Sequence, residues 1–93
     1  MPIRSFRDTE TKKLFLMGRS RRFGAIARTA VRKLDMLDAS VLLVDLRSPP
    51  GNRLEALVGN RAGQHSIRVN DQYRLCFRWT EAGAEDVEMT DYH

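Results

Sequence analysis

The chain has a single cysteine, Cys76, in ninety-three residues. An internal disulfide is therefore excluded, and so is a cysteine metal cluster. No apolar run approaches the roughly 20 residues that a membrane helix needs. The opening MPIRSFRDTE is polar and charged, without the apolar stretch of a secretory leader. Asp35, Asp38 and Asp45 fall at no spacing that a metal site uses. Lysine disappears after Lys33, and every later cation is arginine. These absences point to one domain, residues 1–93, of a protein expected to be cytoplasmic, with no metal or cofactor expected. Ninety-three residues bury one modest core and leave no room for a second.

The charge that is present is unevenly placed. Residues 1–34 hold ten Lys and Arg against two acids, whereas residues 35–93 hold six Arg against ten acids. Between Arg47 and Arg78 stand six arginines and two acids, Glu55 and Asp71. One reading is a solvated basic helix face with ordinary surface arginines. The sharper reading is a nucleic-acid surface, because arginine pairs bidentately with phosphate where lysine acts as a point charge.

Periodicity predicts the elements. Residues 2–6 alternate like a short strand. Asp8 or Thr9 offers an N-cap to a helix over Thr9–Met17, stopped by Gly18. Arg19-Ser20-Arg21-Arg22 reads as a basic connector, mobile without a partner. Phe23, Ile26, Ala27, Ala30, Val31, Leu34 and Leu37 mark one face of a helix from about Arg21 to Ala39. Residues 40–52 read as a connection over the core with its apolar side chains tucked in. Four strands follow, at 53–58, 65–69, 72–80 and 85–92, separated by turns at 59–63, 70–71 and 81–84. The order β-α-α-β-β-β-β predicts an α+β fold, with two helices on one face of a mostly antiparallel sheet of four or five strands.

Alternation then assigns faces. Ile67, Val69, Tyr73, Leu75, Phe77 and Trp79 are expected against the helices. Arg68, Arg74, Cys76 and Arg78 are expected on the opposite, uncovered face, where a polyanion can lie. The sequence closes on Asp91-Tyr92-His93, three groups that bind or move protons. Metal-free RNA cleavage needs a base for the 2′-hydroxyl, positive charge at phosphorus and an acid for the leaving oxygen. Arg68 and Arg74 suit the charge, with Arg61 near. Glu55 can accept a proton, His93 can donate or accept one, Tyr92 can stack on a base or help activate the hydroxyl, and Asp91 can orient His93 or contact a base. Arg53, Arg61, Arg78, Arg21 and Arg22 are the expected RNA contacts. Plainer readings compete: a solvated C-terminal Tyr-His, a weak surface pair of Glu55 with Arg53, a packed His65, and core roles for Trp79 and Tyr73.

Several stretches carry a resemblance. Residues 53–70, the run Arg74-Leu75-Cys76-Phe77-Arg78-Trp79 and the ending Asp91-Tyr92-His93 resemble the HigB toxins of the RelE/ParE toxin–antitoxin superfamily. Leu46 to Glu55 is most similar to the GraT-type branch. The resemblance implies a small α/β toxin that enters the ribosomal A site and cuts mRNA during translation. It implies neutralisation by a HigA-type helix-turn-helix antitoxin, with operator DNA bound only through that complex. It carries cleavage roles onto Asp91, Tyr92, His93 and Arg74. Many HigB toxins have histidine at the position of Glu55 and lysine at that of Val58, so the proton-accepting role falls here to Glu55 or to other groups. Two alternatives share the fold: a ParE-like inhibitor of DNA gyrase without nuclease chemistry, and a non-catalytic RNA- or ribosome-binding module.

Overall fold

The computed structural model describes residues 2–91. Helix α1 spans Thr9–Met17. Asp8 is its N-cap: its carboxylate accepts from Thr11 N at 3.1 Å and from the Thr11 hydroxyl at 2.6 Å. Gly18 ends the helix in the left-handed region at φ 74°, and its N–H donates to Leu14 O. Helix α2 spans Ala27–Ala39 and buries Ala27, Ala30, Leu34 and Leu37, the spacing of one helical face. It starts later than the sequence predicts. Gly24–Ile26 form a 3-10 turn instead, with Ile26 N donating to Phe23 O. Phe23 is drawn inward, edge-on to the Tyr73 ring at 5.5 Å, and a continuous helix from Arg21 would have to forgo that turn.

The connection from residue 40 to 52 differs from expectation. Only Leu46 of its aliphatic residues is fully buried, while Val41, Leu42 and Val44 are exposed. Leu43–Arg47 is a 3-10 turn held by the Asp45 carboxylate, which accepts from Val41 N and Leu42 N. A short tight turn offers the core one side, so it cannot tuck in four consecutive apolar residues. The expected strand over 53–58 shrinks to β1, Glu55–Ala56, because Arg53 takes a left-handed conformation at φ 46° as the preceding 3-10 turn ends.

Strands β2 (His65–Arg68), β3 (Tyr73–Thr80) and β4 (Gly83–Asp91) complete an antiparallel sheet in the order β1-β2-β3-β4. The N-terminal segment adds a parallel edge through single bridges, Ile3 to Ala84 and Phe6 to Val87. Gly83 permits this approach: at φ 134°, a Cβ there would lie 2.1 Å from Pro2 O. Leu14, Phe23, Leu34, Leu37, Leu46, Ile67, Leu75, Phe77 and Val87 form the core between helices and sheet. Each such buried side chain contributes about 1.5–3 kcal/mol. The fold is the α+β arrangement expected, with both helices packed on one sheet face.

Candidate functional site

Register builds the site from the strands. Arg68 stands opposite Arg74, and Ser66 opposite Cys76 on β3 and Glu55 on β1. Period-2 alternation therefore puts Glu55, Ser66, Arg68, Arg74 and Cys76 on one face, away from the helices. This face is less open than the sequence implies. Ser66 and Cys76 are fully buried, and the Arg74 side chain is only 8% exposed. The face carries a cleft of about 390 Å³ lined by Arg53, Glu55, Arg68, Asn70, Asp71 and Arg74.

Arg74 is held from three sides. Its Nε donates to Ser66 Oγ at 2.8 Å, and Nη2 donates to the Arg53 carbonyl at 2.7 Å and lies 3.2 Å from Glu55 Oε1. The left-handed Arg53 thus supplies a backbone acceptor to a buried guanidinium. The pair expected for Glu55 was Arg53, its near neighbour in sequence; the partner in the fold is Arg74, two strands away. Arg68 pairs with Asp71 across the turn into β3. The Asn70 carboxamide makes that turn, accepting from Gln72 N at 2.9 Å and Tyr73 N at 2.7 Å.

The other arginines of this face form a second group. Arg61 Nη1 donates to Gln64 Oε1 at 3.1 Å and to Glu88 Oε1 at 3.0 Å. Arg78 Nε lies 3.7 Å from Asp86 Oδ2. That contact depends on a bulge: the register slips between Cys76 and Arg78, and Asp86 takes a positive φ of 52°. Four of the expected cations, Arg61, Arg68, Arg74 and Arg78, are therefore each joined to an acid. The sheet face is charge-tempered rather than bare.

Arg21 and Arg22 lie apart from the cleft, on the connector after α1. Arg21 lines a groove with Glu10, Lys13, Met17, Arg19 and Ser20. Arg22 sits over the Phe23 ring at 5.3 Å. The Ser20 hydroxyl donates to Glu10 Oε2 at 2.8 Å, tying the connector to α1. Asp91 stands opposite Tyr73, so by alternation it shares the helix-side parity, while Thr90 shares that of Arg74. Gln72 Nε2 donates to Asp91 Oδ2 at 3.1 Å. Tyr92 and His93 lie outside the described residues. His65 stacks on Phe77 at 6.4 Å between ring centres, the packed role expected for it.

One group near the cleft escaped sequence reasoning. Lys33, on α2, donates to Asn52 Oδ1 at 2.5 Å. Burial, then Arg32 and Arg68, lower its pKa from the ordinary lysine value. In the sequence it reads as one more basic residue on a solvated helix face. Its i, i+4 distance from Leu37 placed it near the buried stripe and was the one available signal.

Among the described residues no three His, Cys, Asp or Glu gather as metal ligands would, and no helix is long and apolar enough to cross a membrane. The fold and cleft define a small α+β domain with a clamped, arginine-centred cleft on the sheet side away from its helices. The model of one family, RelE-like toxins of the HigB type II toxin–antitoxin system, matches residues 4–93, and the chain belongs to that HigB-like toxin family. It is 53% identical over 60 residues to toxin HigB-1 of Vibrio cholerae, covering 64% of this chain and 63% of that protein. It is 50% identical over 52 residues to an uncharacterized protein of Haemophilus influenzae, covering 56% of this chain and 52% of the relative. The matches thus span between half and two thirds of these relatives.

Proposed function

We propose that this chain cleaves mRNA in the ribosomal A site, without metal, and so inhibits translation in the cytoplasm. A HigA-type antitoxin neutralises it, and operator DNA is bound only by the toxin–antitoxin complex. The observation that carries the reading is the clamped pair in the cleft. A guanidinium fixed by Ser66 and the Arg53 carbonyl holds the half-exposed Glu55 carboxylate beside the exposed edge of Arg68.

In this reading the RNA 2′-oxygen attacks the adjacent phosphorus while Glu55 accepts its proton. The new O–P bond closes a 2′,3′-cyclic phosphate. The bond to the 5′-oxygen breaks, and that oxygen takes a proton from His93, with Tyr92 stacked on the base and Asp91 orienting the tail. Arg68 meets the phosphate, and Arg74 holds positive charge beneath it at no cost in reorganisation. Arg53 and the Arg61 and Arg78 group track the flanking backbone, and Arg21 and Arg22 contact RNA outside the cleft.

The test is primer extension on programmed 70S ribosomes, comparing wild type with Glu55→Gln, Arg68→Ala and His93→Ala. A-site cuts that require ribosomes and weaken about 10²-fold or more in the variants are expected. A folded, toxic wild type that leaves mRNA intact would overturn the reading and turn attention to gyrase.

A further inference from the structure

We infer that Asp71 is a built-in competitor for phosphate: its carboxylate occupies Arg68 until an RNA phosphate displaces it, and so sets how readily the cleft accepts RNA. The inference rests on the reading of this cleft as an RNA-binding surface. Four observations carry it. Asp71 lines the cleft and pairs with Arg68, the more exposed of its two paired arginines. Its side chain is 100% exposed, so the carboxylate can swing away without opening the core. The turn does not depend on it, since the Asn70 carboxamide makes both turn contacts. Arg74, in contrast, is buried and held by backbone and hydroxyl oxygens, so its acid cannot be exchanged as freely.

A carboxylate three residues from its arginine competes as an intramolecular ligand, at an effective concentration of millimolar order. Dilute RNA in solution meets an occupied cation. RNA held against the protein at high local concentration can displace the carboxylate, because phosphate engages guanidinium bidentately as carboxylate does. The pair thus rejects stray single strands and admits a presented one, which is discrimination by a built-in opponent.

The experiment measures binding of a fully 2′-O-methylated, uncleavable 12-nucleotide RNA by fluorescence anisotropy across a salt series. Wild type, Asp71→Asn, Asp71→Ser, Arg68→Ala and Arg68→Ala/Asp71→Asn are compared. Freeing one cation for one phosphate should tighten binding by about fivefold at 0.1 M salt and steepen the salt slope by about 0.7. In the Arg68→Ala background the Asp71 change should do nothing. Unchanged, weaker or undetectable binding by both Asp71 variants overturns the inference. So does an equal gain without Arg68, which would be unspecific removal of a negative charge. Ribosomal cleavage is scored separately. Gain in Asp71→Asn with no cleavage by wild type sinks the nuclease reading alone, and cleavage with no gain sinks this inference alone.

Discussion

Arg74 and Glu55 meet across the full width of β2, Nη2 to Oε1 at 3.2 Å, although β1 and β3 are not hydrogen-bonded neighbours. Arg74 is buried and Glu55 is half in solvent, so the pair is asymmetric: the carboxylate is accessible and the guanidinium is not. Glu55→Gln keeps an oxygen acceptor for Arg74. Its stability cost should stay below about 1 kcal/mol, given the exposure of the carboxylate. Its cleavage on ribosomes should fall about 10²–10⁴-fold. Urea unfolding beside primer extension separates the two effects, and equal loss in both would make Glu55 structural only.

Asn52 should be the most sensitive polar position outside the cleft. Fully buried, it donates to Leu46 O and Ser48 O and accepts from Lys33 Nζ. Asn52→Ala strands those groups and should cost about 1–3 kcal/mol. For a domain of this size that lowers Tm by roughly 4–8 °C per kcal/mol. Calorimetry reads it, and an unchanged Tm would mean that water replaces the carboxamide at no cost.

Gly83→Ala should loosen the N-terminal edge. The Cβ would collide with Pro2 O, and φ 134° is unfavourable for alanine. A loss above about 1 kcal/mol is expected. Hydrogen exchange should show it first at Arg4 N and Ala84 N, which bond across this contact.

Asp45 gives a pH signature. Backbone hydrogen bonds from Leu42 and Val41 lower its pKa below the usual carboxylate value. A depressed folded pKa adds stability above the unfolded value near 4 and loses it as pH falls through the folded value. Wild type should therefore outlast Asp45→Ala at pH 6 and lose that margin as pH falls through the lowered folded value. A gap independent of pH, seen in thermal melts across that range, would contradict the assignment.

The sequence made some of this legible and hid the rest for physical reasons. The α2 face could be read because Ala27, Ala30, Leu34 and Leu37 repeat at helical spacing, and Gly18 because a helix end needs the left-handed region. Arg68 and Arg74 could be put on one face because a short turn fixes register. The partners of Arg78 and Arg61 could not. Asp86 reaches Arg78 only through a bulge, and Glu88 reaches Arg61 only after β4 pairs with β3. Val41, Leu42 and Val44 look like core by hydropathy, and only the geometry of the 3-10 turn turns them outward.

The contact between the first residues and β4 also governs how the domain comes together. Ser5 and Asp86 are hydrogen-bonded across 81 positions of chain, the kind of closure whose entropy is met late and slowly. The helices and the β2–β3 hairpin can form from local contacts, but the sheet gains its outer edge only once β4 is in place. A ribosome-bound nascent chain lacking β4 therefore lacks Glu88 and Asp86 and leaves Arg61 and Arg78 without these acids. The charge balance of the second arginine group is thus set by the last strand, after every residue that lines the cleft is already in the chain.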